Sequence, residues 1–102
     1  MSTKIGSRVG AVCAKKDFKL ELFGYGVYEG DFVPETEDVL AMGVSLKSVN
    51  LRNPKIKLDN GEVVWGCECW WGAEEKVKEW EKECTEVVIV SPVEYRKEYN
   101  GI

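Results

Sequence analysis

Asp59-Asn60-Gly61, set between two runs of alternating apolar residues, dictates more of its own geometry than any other stretch of this chain. A two-residue type I′ loop needs positive φ at both central positions, and Asn-Gly meets that need. With Asn60 and Gly61 as the loop, Asp59 faces Glu62, Leu58 faces Val63, Lys57 faces Val64, Ile56 faces Trp65 and Lys55 faces Gly66. Side chains alternate across a strand, so Ile56, Leu58, Val63, Trp65, Cys67, Cys69 and Trp71 share a core face. Lys55, Lys57, Glu62, Val64, Gly66, Glu68 and Trp70 share the other, mostly polar face. In this register both central thiols look inward and Trp70 looks out.

The rest of the chain supplies further strands and two helices. Residues 4–14 alternate as a first strand, and Lys15-Lys16-Asp17 turns it. A second strand starts at Phe18 with Phe18, Leu20 and Leu22 inward and Lys19, Glu21 and Phe23 outward. Gly24-Tyr25-Gly26 reads as a sharp corner with Tyr25 pushed outward, since glycine within a strand marks a bulge or a bend. Pro34 ends that strand, residues 35–42 suggest one or two helical turns stopped by Gly43, and Val44 to Val49 suggest a short strand.

Ala73, Val77, Trp80 and Cys84 recur at steps of four, three and four, which predicts a helix with one narrow apolar stripe. Glu86 to Val90 is apolar on both faces, which suits a central strand or an interface. Ser91-Pro92-Val93-Glu94 combines an N-cap, proline at the first helical position and a capping-box glutamate. The short helix that follows, ended by Asn100-Gly101, carries no long apolar stripe and is expected to need a docking surface, such as another subunit. The expected architecture is one α+β domain over residues 1–102. It is a small, strongly bent antiparallel sheet or SH3-like barrel of about five strands, with one amphipathic helix and a short C-terminal helix.

Composition narrows the function. A net charge of −4 opposes general binding to nucleic-acid backbones. The absence of histidine removes the commonest general base and metal ligand. No apolar run is long enough to span a bilayer, and the N-terminus lacks a signal-peptide core, so the chain is expected in the cytoplasm. Glu29 and Asp31 look like an acid and base pair only on paper, because they stand at the open end of a strand. No catalytic residue and no cofactor is assigned.

Four cysteines, Cys13, Cys67, Cys69 and Cys84, leave packing, metal binding and redox chemistry open. A Cys67-Cys69 pair in mid-strand has the wrong spacing for a zinc knuckle and favours packing. Trp70 beside Glu68, the aromatics around Tyr25 and Tyr28, and the scarce arginines Arg8 and Arg52 are the candidate ligand-binding residues. Rings stack on a base, and guanidinium groups hold phosphate.

Lys4 to Ala11, Gly24 to Asp31 and the 53–72 hairpin with its WGCECWW string resemble, in that order, segments of small accessory proteins encoded by bacteriophages. What the resemblance implies is a context, in which such proteins bind stoichiometrically and blunt host defence. The leading expectation is therefore a non-catalytic homo-oligomer, at work in the host cytoplasm, that sequesters a small nucleotide-like signalling molecule. The alternative is a direct inhibitor of a host defence protein that uses the acidic 29–38 segment and Trp70. A cysteine-based metal module is third.

Overall fold

A computed structural model of the chain describes residues 3–99. Its elements run β1 (Arg8–Lys16), β2 (Lys19–Phe32), β3 (Leu40–Ala41), β4 (Val44–Ser45), β5 (Asn53–Leu58), β6 (Val63–Trp65), β7 (Trp70–Ala73), α1 (Glu74–Glu83), β8 (Glu86–Ile89) and α2 (Pro92–Tyr99). The main sheet is six-stranded in the order β6-β5-β2-β1-β7, and β8 lies parallel to the first residues of β2. β3 and β4 make a separate hairpin. The fold is α+β with a mostly antiparallel sheet, as the sequence predicts, but the sheet stays open and is no SH3-like barrel.

β2 organises the molecule. Along one edge it pairs with β1, and along the other it pairs first with β8 and then with β5. Between Gly24 and Leu22 the register with β1 shifts by an extra residue, and it shifts again at Cys13. Each bulge increases the local twist and re-aims the side chains beside it. Leu20 and Leu22 accordingly face α1 with Val12 and Val77, while Phe23 turns to the opposite side with Val9, Ala11, Ile56 and Val64. Phe23 points away from Leu22 as alternation requires, yet it enters a second core and is 1% exposed.

The expected corner at Gly24-Tyr25-Gly26 is not a break, for β2 runs through it. Gly26 is required by proximity, since a Cβ there would stand 2.1 Å from the Lys57 carbonyl oxygen of β5. Tyr25 is half-buried against α1 rather than pushed out, and Phe18, expected inward, is exposed in the Asp17-Phe18 turn.

The β5–β6 hairpin forms where the sequence places it, but one residue out of the expected register. Gly61 N–H donates to the Leu58 carbonyl (2.9 Å), Leu58 N–H donates to the Glu62 carbonyl (2.8 Å), and Gly61 has φ +92°. This is the three-residue loop in which a type I turn is followed by a left-handed glycine. Glu62 N–H donates to Asn60 Oδ1 (2.9 Å), a side-chain turn that fixes Asn60 at the second turn position. Lys55 now pairs with Trp65, Ile56 with Val64 and Lys57 with Val63.

A one-residue slip exchanges the two faces of a strand. Val64 is therefore fully buried with Ile56, whereas Val63 and Trp65 face the other way toward Val39 and Leu46. β6 also ends at Trp65. Gly66–Glu68 is a 3₁₀ turn, since Trp65 N–H donates to Glu68 Oε1 (2.9 Å) and Cys67 N–H to Asn53 Oδ1 (2.8 Å). The chain then crosses to the far edge of the sheet as β7, where Trp71 pairs with Ala11 and Trp70 with Val12.

The 33–52 connection contains no helical turns at 35–42. Its β3–β4 hairpin turns at Met42-Gly43, both with positive φ, and Val39 and Leu46 on either side bury against Trp65. The Glu37 carboxylate accepts from Ser45 and Ser48, which ties the segment to the strand that follows it. α1 matches its predicted stripe, with Val77 fully buried and Trp80 and Cys84 beside it. α2 begins as its capping box predicts, with Glu94 N–H reaching Ser91 Oγ. It docks within its own chain, Tyr95 meeting Phe23 edge-on at 5.3 Å, so no second subunit is needed to hold it. The expected stop at Asn100-Gly101 lies outside the described residues. β8, expected to be central or at an interface, is not central but an edge strand with Val87 and Ile89 exposed.

Candidate functional site

A carboxylate and a guanidinium meet beneath α2. Glu68, on the 3₁₀ turn, and Arg96, on α2, form a two-point pair with Nε–Oε2 at 2.6 Å and Nη2–Oε1 at 2.8 Å. Their side chains are only 5% and 13% exposed. Trp65 N–H satisfies Glu68 further, and Arg96 donates to the Val63 carbonyl at 2.8 Å. Burial alone would lower the Arg96 pKa, but the hydrogen bond and charge of Glu68 outweigh it and the net direction is up. Two charges removed from water are tolerated when their remaining valences are met, as they are here.

This pair separates two clefts. The first, of about 270 Å³, opens between the end of β2, the β5–β6 hairpin and α2, and is lined by Phe32, Lys55, Glu62, Trp65, Val93 and Arg96 among others. Phe32 is half-exposed, and Lys55 Nζ lies 5.6 Å from its ring centre and 3.8 Å from Glu29. An exposed ring beside a cation on an apolar floor can stack a flat group and receive a negative one. The second cleft, of about 280 Å³, is lined by Met42, Cys67, Glu68, Tyr95 and Tyr99 among others.

The six residues expected to bind ligand do not converge. Arg8 is clamped by Asp59 (2.6 and 2.7 Å) and Glu74 (2.8 Å), which raises its own pKa and holds both carboxyls below their usual range. Tyr25 lies on the α1 side, its hydroxyl donating to Glu81 (2.6 Å), and burial followed by that carboxylate raises its pKa. Tyr28 lies on the opposite side of the sheet, stacked on Trp71 at 5.1 Å and donating to Asp31. Arg52 is exposed in the loop before β5. Glu68 is the buried partner of Arg96, not a surface neighbour of Trp70. Trp70 is 45% exposed, and its ring rests on Trp80 of α1 at 4.6 Å, so the helix partly folds back over it.

Phe32 and Lys55 of the first cleft are not among the residues that the sequence points to, and Arg96 stands there only as a scarce donor for phosphate or carboxylate. Arg96 had one signal, as the third of only three arginines. Phe32 had another, as a large ring in an acidic, proline-ended segment.

The thiols are not gathered. Cys67, expected inward, belongs to an exposed residue whose sulfur approaches the Leu40 carbonyl at 3.8 Å, and Cys69 approaches the Trp65 carbonyl at 3.5 Å. Desolvation, helped by the Glu68 charge, pushes their pKa values up to about 11 and about 12, which keeps both protonated near neutrality. Among the described residues no three Cys, Asp or Glu side chains come together where they could share an ion. Among those residues, too, no helix is long and apolar enough to cross a membrane. No protein-family model, curated protein or solved structure matches the chain, so the functional reading stands on the geometry of the clefts.

Proposed function

We propose that this is a non-catalytic binding protein that captures a small nucleotide-like anion in the Phe32–Lys55 cleft. The observation that carries this reading is the pairing of a half-exposed ring with a lysine at a cleft whose apolar lining includes Trp65, Val63 and Val93. At about 270 Å³ the space is near the lower end of small-molecule sites, which suits one nucleotide rather than a polymer. On the resemblance to bacteriophage accessory proteins, the biological use of such capture is removal of a host defence messenger.

Thermal-shift and calorimetric titration with linear and cyclic nucleotides test it. A ligand present at a hundred times its Kd adds about 2.7 kcal/mol to the folded state, enough to raise the melting temperature by about ten degrees or more. Lys55→Ala should weaken binding by about ten- to a hundredfold, the value of a charge-assisted hydrogen bond, with Phe32→Ala similar. No stabilisation by any nucleotide at millimolar concentration sinks the proposal.

A second reading, direct inhibition of a host protein, is favoured by the β3–β4 tip, where Met42 is fully exposed beside Val44. That reading predicts a stoichiometric complex lost in Met42→Glu, with nucleotide stabilisation unaffected.

A further inference from the structure

We infer that β8 is a self-association edge, and that a second copy of this chain pairs with it antiparallel about a two-fold axis through Val88. The inference is independent of the nucleotide cleft, to which β8 contributes no lining residue.

The backbone sets the geometry. Glu86 N–H and Val90 N–H donate into β2, to the carbonyls of Phe18 (3.2 Å) and Leu22 (2.9 Å). Alternation then turns the N–H and C=O groups of Val87 and Ile89 to the outer edge, where β8 has no strand partner among the described residues. Two antiparallel strands exchange paired hydrogen bonds between residues that both present their groups to the shared edge. Pairing Val87 with Ile89 of the second copy meets that condition twice, once on each side of the axis, and leaves Val88 opposite Val88 as the closer, non-hydrogen-bonded pair.

Side chains and charge select the same register. In the parallel pairing Val87 sits beside Leu20 and Ile89 beside Leu22, on the side of the sheet covered by α1. Ile89 is nevertheless 65% exposed and Val87 36%, because the cover of α1 does not extend over β8. A two-fold axis perpendicular to the sheet brings both copies' α1 helices to one side. The four Val87 and Ile89 side chains then meet in the valley between the helices as cross-strand β-branched pairs. This register sets Glu86 against Val90 and keeps the two Glu86 carboxylates apart. The edge is short, four residues with the exposed Glu86 at one end, but its other three residues are β-branched and it holds no lysine, proline or inward charge to block such pairing. The contact is isologous and closes at two copies.

Analytical ultracentrifugation of the full chain across a concentration series tests the inference. The expected result is a dimer for the native chain and at least a hundredfold weaker association for Ile89→Lys, which puts a charge on the exposed face without touching the β2 ladder. Val88→Cys supplies a second readout, since residue 88 should form an interchain disulfide across the axis on oxidation, beyond any background from the four native thiols. A native chain that stays monomeric at hundreds of micromolar overturns the inference. So does a native dimer that survives Ile89→Lys, or a native dimer in which Val88→Cys gives no added crosslink, even where the lysine variant fails to fold.

Discussion

Removing the Arg96 side chain leaves Glu68 as a buried carboxylate whose one remaining protein hydrogen bond is from Trp65 N–H. Breaking one partner of a buried ion pair costs about 3–5 kcal/mol, because the other charge loses its partner without regaining full hydration, and the low end applies here since Glu68 also lines the second cleft. A chain of 102 residues has a total stability of about 5–15 kcal/mol, so Arg96→Met should remove about a fifth of it or more. With a urea dependence of roughly 2 kcal/mol per molar, the unfolding midpoint should fall by roughly 2 M. The double variant Glu68→Gln/Arg96→Met keeps an oxygen for Trp65 N–H and removes the stranded charge. It should recover about 1–2 kcal/mol over Arg96→Met alone, a coupling that a double-mutant cycle reads directly. Circular dichroism in urea on the four proteins is sufficient. A loss below about 1 kcal/mol in Arg96→Met, or a double variant less stable than Arg96→Met, would refute the assignment of this pair as the anchor of α2.

Two further predictions concern pH. Folding raises the Cys67 and Cys69 thiols to about 11 and about 12 from an ordinary 9.0, so their contribution is complete below pH 9 and is lost as pH rises toward 12. Urea midpoints for Cys69→Val should accordingly decline less steeply than the native chain's between pH 9 and 12, and an equal slope rejects the burial of that sulfur. Arg8 lowers Asp59 and Glu74 below their ordinary 3.8 and 4.5, so that contribution is present above those values and disappears on acidification below them. The stability gap between native and Arg8→Met should therefore narrow from pH 7 to pH 2, and a gap of constant width means that the guanidinium acts through packing alone.

What the sequence made legible follows from the range of the interactions involved. α1 was readable because Val77, Trp80 and Cys84 lie on one stripe whatever they pack against, and α2 was readable at its start because Ser91 and Glu94 are three residues apart. The hairpin was readable in place but not in register. Asn-Gly serves both a two-residue and a three-residue loop, and the choice is expressed in contacts distant in sequence, including Arg8 on Asp59 across 51 positions. The slip matters because it moves Val64 into the core and ends β6 before the cysteines, so Cys67 leaves the inward face expected of it while Cys69 still packs against the first core. Residues 33–52 were illegible for a related reason. Val39 and Leu46 show no period of their own and gain burial only against Trp65. The binding residues fared worst, since the alternation that set Tyr25 and Tyr28 near one another in sequence also sends them to opposite faces.

The use of the arginines limits what the first cleft can hold. Arg8 is bound by two carboxylates, and Arg96 by Glu68 and a backbone carbonyl, so neither offers an empty fork to an incoming phosphate. Lys55 is the cation at the mouth of the cleft, and even it shares its charge with Glu29 at 3.8 Å. Glu35 and Glu62 also line the space and bring negative charge of their own. A densely charged polyphosphate would meet those carboxylates with little to offset them. Under the proposed reading, a ligand with one or two anionic groups, a flat ring for Phe32 and hydrogen-bond donors for the two carboxylates suits this lining better. If the cleft holds a nucleotide as proposed, one with one or two anionic groups suits it better than a triphosphate or a nucleic-acid strand, in line with a net charge of −4.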